Sequence, residues 1–297
     1  MRVYISIDME GVAGVATLDQ VARGGHGYPR AQQLMTNEAN AAIAGAFEGG
    51  ATEVLINDSH GTMDNLIHAE LDPRARVIFG SPKLDCMAEG ISEEHDIALF
   101  IGYHAAAGAE GIMAHTYSSS FTEVRVNGVQ VSEADVNAMQ AAAVGVPVGL
   151  LTGDDMICAA VKKTIPGIET VVVKQAKGYH AADSLSPAES QRLIAEAAAR
   201  VVSRAQTFPL PNVPEILEIE IDLPNASAAE QAAMIPHAER TANRTVKLVA
   251  RSPREAISFV LVCYQFAAAA LRSLLPLLNR RVTRQAESPR FAGSALF

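Results

Sequence analysis

A chain of 297 residues, 49% hydrophobic and 19% charged, can bury one large core or one medium and one small core. Its net charge is −9, from 33 acidic against 24 basic residues, and the basic residues cluster only at Arg280, Arg281 and Arg284. That balance repels phosphate backbones and argues against a nucleic-acid partner, while three widely spaced cysteines (Cys86, Cys158, Cys263) exclude a disulfide framework or a zinc ribbon. Aromatic residues make up 5%, Trp is absent and alanine is abundant, which favours helices packed closely on a sheet. A reducing, cytoplasmic setting is expected, since the opening MRVYISIDMEG reads as a strand and not as a secretion signal.

In chain order, residues 3–7 form the first short aliphatic run bounded by polar residues, the pattern of a buried parallel strand. A helix is predicted over 28–50, with Met35, Ala39, Ala42, Ile43 and Phe47 at helical spacing and Gly49-Gly50 ending it. Strands follow at 53–56 and 97–101, then a helix at 132–144 and a strand at 146–151. A helix after Asp154-Asp155 stops before Pro166, a strand spans 170–174, and a helix starts near Ser186-Pro187 with Glu189 in its first turn. This alternation predicts a three-layer α/β fold with a mainly parallel sheet.

The segment FPLPNVP (208–214) reads as a boundary. Beyond it a strand at 216–223, a helix at 226–234, a strand at 245–250 and a helix at 253–275 predict a smaller β-α-β-α unit. The expected organisation is therefore a metal-binding catalytic domain over 1–207, a smaller domain over 208–277 suited to oligomer contacts, and a tail over 278–297 without clear periodicity. The apolar run 256–271 falls short of the ~20 residues that span a bilayer and reads as a buried helix, an oligomer interface being the alternative.

Three predicted strands run directly into metal-type residues. The first ends in YISIDMEG, where Asp8 and Glu10 are two apart and project to one side of an extended chain. The second ends in VLINDSHG with His60, and the third in ALFIGYHA with His104. Strand ends of an open parallel sheet border a crevice, so the four residues can converge there. Carboxylates with imidazoles suit Zn²⁺ and tolerate Mn²⁺ or Co²⁺. A carboxylate such as Asp8 can also bridge two ions. Against this, Asp8 or Glu10 taken alone can cap a following helix.

Glu133, in GVQVSEADVNAM, opens a predicted helix, and complementing that helix's dipole explains it slightly better than ligation does. His115 lies on a small-residue segment, GIMAHTYSSS, where a lone histidine is more often structural than catalytic. Asp58 and Ser59 either orient the His60 ring or form the turn, and Asp154-Asp155 either line the crevice or start a helix. Gly11-x-x-Gly14 lacks the remainder of a nucleotide-binding turn, no G-x-S-x-G elbow occurs, and His26, His68, His95, His180 and His237 read as surface or loop residues.

The stretches ISIDMEGVAGV (5–15), EANAAIAGAFEGGATEVLINDSHGTMDNL (38–66), IALFIGYHAAAGAEGIMAHT (97–116), VSEADVNA (131–138), GDD (153–155) and VKQA (173–176) carry a closer resemblance. In them the chain resembles the zinc-dependent D-aminopeptidases encoded with bacterial dipeptide-transport systems. The motifs spread over about the first 190 residues, with weaker similarity to about residue 275, and the order S-x-D-x-E-G, N-D-S-H, G-Y-H, M-x-H is highly specific.

The resemblance implies two zinc ions per subunit held by Asp8, Glu10, His60, His104 and Glu133, with His115 as the catalytic residue. Ser132 departs from the glycine that the family often has before that glutamate. The implied activity is hydrolysis of short peptides with an N-terminal D-residue, such as D-Ala-D-Ala or D-Ala-Gly-Gly, by metal-activated water, with His115 stabilising the oxyanion or moving a proton. A homodecamer enclosing an inner cavity is implied too. The competing readings are a metallo-amidase or esterase acting on another small amide, and a non-catalytic metal-binding relative.

Overall fold

The computed structural model describes the backbone of residues 1–286 and the side chains of residues 1–270. In chain order the elements are β1 (Arg2–Ile7), α1 (Leu18–Val21), α2 (Tyr28–Glu48), β2 (Glu53–Asp58), β3 (Ala75–Ile78), β4 (Ile97–Tyr103), β5 (Glu123–Val126) and β6 (Val129–Gln130). They continue with α3 (Glu133–Ala143), β7 (Val148–Asp154), α4 (Asp155–Thr164), β8 (Glu169–Gly178), β9 (Ala181–Ser184), α5 (Pro187–Ser203), β10 (Leu217–Asp222), α6 (Ala226–Ala232), β11 (Glu239–Arg240), β12 (Thr245–Ala250) and α7 (Pro253–Ala286).

Seven strands form the main sheet in the order β3-β2-β1-β4-β7-β8-β9, parallel except for the antiparallel edge strand β9. Central strands bury both faces, as their unbroken aliphatic runs require. Alternate residues serve opposite layers: Val3, Ile5, Ile7, Leu99 and Ile101 pack with α2 and α5, while Tyr4, Ala98 and Phe100 face the layer of α3, α4 and α7. Helix α2 buries Ala31, Met35, Ala39, Ala42, Ile43 and Ala46, and α5 answers with Ile194, Ala197, Ala198, Val201 and Val202. Small side chains on both helices let their axes approach closely, which is where the abundant alanine goes.

The predicted three-layer fold with its mainly parallel sheet is thus observed, with β3 and β9 added at its edges. Strand β7 starts two residues later than expected and runs on to Asp154. The smaller unit is larger than a β-α-β-α arrangement: its five-stranded antiparallel sheet, in the order β11-β12-β10-β5-β6, takes the hairpin β5-β6 from the first half of the chain. Asn127 and Gly128, at φ 51° and 77°, make the tight turn of that hairpin. Helix α7 packs on β10, β12, α3 and α6, and buries Ile257, Val260, Cys263 and Ala267 of the apolar run. Among the described residues no helix is long and apolar enough to cross a membrane. The helix runs to Ala286, past the expected start of the tail, and the rest of that tail lies outside the described residues.

Candidate metal centre

Strand β1 delivers Asp8 and Glu10, β2 delivers His60, and β4 delivers His104, all at the carboxyl end of the main sheet. The close approach of two chain segments aligns them. The Asp8 backbone N–H donates to Ile101 and Gly11 N–H donates to the Gly102 carbonyl at 2.7 Å. A Cβ on Gly11 would lie 2.1 Å from the Tyr103 carbonyl oxygen, and one on Gly102, whose φ is +70°, 2.3 Å from that of Asp8. Gly11 therefore serves the packing of β1 against β4 and not a phosphate.

Glu133 is the first residue of α3, as predicted, but its carboxylate turns away from the helix. Oε1 accepts from the Tyr117 N–H at 2.5 Å, and Oε2 lies 3.4 Å from His104 Nε2. Ser132 caps the helix in a reciprocal pair with Asp135 at an unstrained φ of −86°, so no glycine is needed there. His115 sits on the long loop after β4, which is tied down by His115 N–H to Ala105 O and by Ile112 N–H to Asp154 Oδ2. Its ring stacks on that of His104, with centroids 4.1 Å apart and planes 9° from parallel. Met113 and Tyr117, on either side of it, hold φ of 49° and 58°, a strained backbone of the kind that gathers at functional sites.

All six predicted site residues are thus brought together. Asp8 uses both oxygens: Oδ1 lies 3.2 Å from His60 Nδ1 and Oδ2 lies 3.2 Å from His104 Nε2. Glu10 Oε2 lies 2.8 Å from His60 Nδ1, and His115 Nε2 is 3.7 Å from Glu133 Oε1. Asp8, Glu10, His60, His104 and Glu133 are buried, whereas the His115 side chain keeps 18% of its surface exposed.

Each ring is anchored through its far nitrogen. His60 Nε2 donates to the Val21 carbonyl at 2.8 Å, His104 Nδ1 to Ala105 O at 3.0 Å, and His115 Nδ1 to Met113 O at 2.9 Å. A carbonyl can only accept, so the nitrogen turned to the carboxylates is the one free to carry a lone pair. Acceptor then faces acceptor. Asp8 Oδ2, Glu10 Oε2 and His104 Nε2 are buried without a hydrogen-bond partner among the described residues. Only a cation or added protons satisfy such a set, and two imidazolium charges leave three carboxylates short of neutral. Burial alone would lower the imidazole pKa of His60 and His104, yet Glu10, Glu133 and Asp8 push both well above the usual range. Burial likewise opposes ionisation of Asp8, but His104 and His60 hold its carboxyl well below the ordinary value. The donor atoms of Asp8, Glu10 and His104, and separately those of His104, His115 and Glu133, lie within 4.8 Å of one another. Divalent metal coordination fits these donors better than protons do.

Several neighbours have roles that spacing left open. Asp58 accepts from the Asn65 N–H, the Asn65 side-chain amide and the Leu66 N–H, and Ser59 bonds Ser6, so both shape the turn, and the Val21 carbonyl orients the His60 ring. Asp154 caps α4 through Met156 and Ile157 N–H. His26, His68, His180 and His237 are exposed, and His95 is half-buried against Tyr4. Lys174 was not singled out by spacing: its buried ammonium donates to the carbonyls of Glu10, Val12 and Val15 and fastens the loop that follows Asp8. The centre opens into a cleft of about 350 Å³, walled on one side by Leu261, Tyr264 and Gln265 of α7.

Carboxylates and imidazoles gathered at parallel strand ends, in a cleft the size of a short peptide, are the site of a hydrolase built around divalent cations. The chain belongs to the D-aminopeptidase family, whose model matches residues 1–262. A D-aminopeptidase of Bacillus subtilis (strain 168) is 36% identical over 268 residues, which are 90% of this chain and 98% of that protein. The solved structure of the Zn-dependent D-aminopeptidase DppA from Bacillus subtilis, a self-compartmentalizing protease, matches with a TM-score of 0.87 at 36% identity, again over 90% of this chain and 98% of the other.

Proposed function

We propose that this enzyme is a zinc-dependent aminopeptidase that removes N-terminal D-residues from short peptides such as D-Ala-D-Ala and D-Ala-Gly-Gly. The observation that carries the reading is the buried set of facing acceptors, each imidazole pre-set by a backbone carbonyl, in a chain of this family. Asp8, Glu10, His60, His104 and Glu133 would hold two zinc ions, with Asp8 shared because its two oxygens face different histidines. Bound zinc supplies an activated water, of pKa lowered towards ~7, and polarises the scissile carbonyl.

The protein's own contribution is arrangement and proton handling. The carbonyls of Val21 and Ala105 fix the ligand tautomers, so the rings need not reorganise during turnover. With five neighbours committed to ligation, His115 is the group left to act. Its Nδ1 proton is held by Met113 O, and Nε2 is the atom that takes up a proton, passes it to the leaving amine, or donates to the oxyanion. A cytoplasmic setting and assembly into a homodecamer around an inner cavity belong to the same proposal; the self-compartmentalizing relative supports an enclosed oligomer.

The test is turnover of D-Ala-D-Ala against L-Ala-L-Ala by purified, zinc-replete protein. Cleavage of the D-peptide with little of the L-peptide is expected. No turnover of any D-amino peptide by protein that contains zinc would overturn the substrate assignment.

A further inference from the structure

Two lysines are buried among the described residues, and they are satisfied differently. Lys174 has three ammonium protons and three carbonyl acceptors, so its donors are fully used. Lys83, on the loop after β3, has only two: Nζ donates to Asn57 Oδ1 at 2.5 Å and to the Asp58 carbonyl at 2.6 Å. Among the described residues no carboxylate lies within ion-pair distance of it, although Asp58 and Glu89 are near enough to act on it through space. Burial pushes its pKa down to about 8, so at neutral pH it remains mostly a cation. A buried ammonium with a spare donor and no counter-charge is costly unless something supplies one.

Its location says what that is. Lys83 lines the same cleft as Asp8, Glu10, His60, His115 and Glu133, and among the described lining residues it is the only lysine or arginine. The Asp58 carbonyl it binds lies two residues before His60, so the ammonium stands beside the strand end that carries one edge of the metal centre. The cleft's volume of about 350 Å³ suits a di- or tripeptide, whose free C-terminal carboxylate must enter with it.

We infer that Lys83 binds the C-terminal carboxylate of the substrate and makes the enzyme selective for short peptides with a free acid end. The inference rests on the aminopeptidase reading and adds to it a length- and charge-selecting residue. Selectivity of this kind follows because a peptide extended or amidated at that end leaves the ammonium buried and unpaired.

The experiment compares kcat and KM for D-Ala-D-Ala and for its C-terminal amide, using zinc-replete wild-type enzyme, Lys83→Met and Lys83→Gln. The glutamine variant keeps an amide donor for Asn57 and Asp58 while removing the charge, which separates recognition from support of the loop. The wild type should favour the free acid by about tenfold or more, the range of one charge-assisted hydrogen bond. Both variants should bring the acid-to-amide ratio close to one, through a raised KM for the acid with the amide little changed. Equal wild-type rates on both peptides, or variants that lose acid and amide turnover in equal proportion, would overturn the assignment and leave a merely structural lysine. Failure of the aminopeptidase reading looks different, because neither peptide is then cleaved at all, and the Lys83 assignment falls with it.

Discussion

Replacing Lys174 by methionine tests how the metal centre is supported from beneath. The methionine side chain is of similar length and fills the space, but it donates nothing to the carbonyls of Glu10, Val12 and Val15. An unpaired buried acceptor costs about 1–3 kcal/mol, and since the Val12 carbonyl also accepts from the Val15 N–H, the two left unpaired would cost several kcal/mol before any relaxation. The wild-type ammonium itself carries a desolvation penalty, since burial pushes its pKa to about 8, and methionine removes that penalty. The net loss should fall near the low end of the ~3–5 kcal/mol typical of breaking a buried charged pair. For a chain of this size that lowers the melting temperature by roughly 5–10 °C. Because the loop carries Glu10 and follows Asp8, zinc affinity should fall with it. The assays are calorimetric melting in the presence of a chelator, which isolates the fold, and competitive zinc titration, which isolates the site. A variant that melts within about 2 °C of wild type and binds zinc equally well would refute the reasoning, since the loop would then hold its shape without the ammonium.

His115→Ala should leave zinc content and melting unchanged while cutting turnover by about 10²–10⁴-fold, the usual contribution of a positioned acid or base; unaltered turnover would assign the proton chemistry elsewhere. In the second sheet, Arg125 grips Asp222 at 3.0 and 3.1 Å, and Thr245 Oγ1 donates to it at 2.6 Å. Burial opposes ionisation of Asp222, but these partners hold its carboxyl below the usual range. A depressed acid stabilises the fold above its unfolded pKa, so the contribution is complete at neutral pH and is lost as pH falls below about 4. Metal-free Asp222→Asn should therefore be about 1 kcal/mol less stable at pH 6 and lose less on acidification, read as parallel denaturant titrations; an unchanged pH profile would contradict it. Light scattering of the purified protein should give a mass near ten subunits, and a clean monomer would refute the enclosed assembly.

The parts of this molecule legible in its sequence are those whose cause is local. Aliphatic runs ending in acids or histidines mark strand ends, and strand ends share one edge of a parallel sheet, so Asp8, Glu10, His60 and His104 converge for a reason spacing contains. Glu133 is different. Its place at the start of α3 was readable, but the choice between complementing the helix dipole and reaching His104 depends on where α3 docks, which no local pattern states. The β5-β6 hairpin did carry a local signal, Asn127-Gly128 between alternating residues, and it was missed because the strands are only four and two residues long. Its pairing with β10, about 90 residues further on, had no such signal. The lysines show the boundary most sharply. In sequence Lys83 and Lys174 are ordinary cations in a chain of 24 basic residues, and what separates them is the number of acceptors that distant loops bring to each ammonium. Three acceptors make Lys174 a fastening for the loop after β1, and two leave Lys83 with a donor that has no partner among the described residues. Sequence patterns locate the candidate metal ligands, whereas tertiary contacts decide which remaining charge lines their cleft.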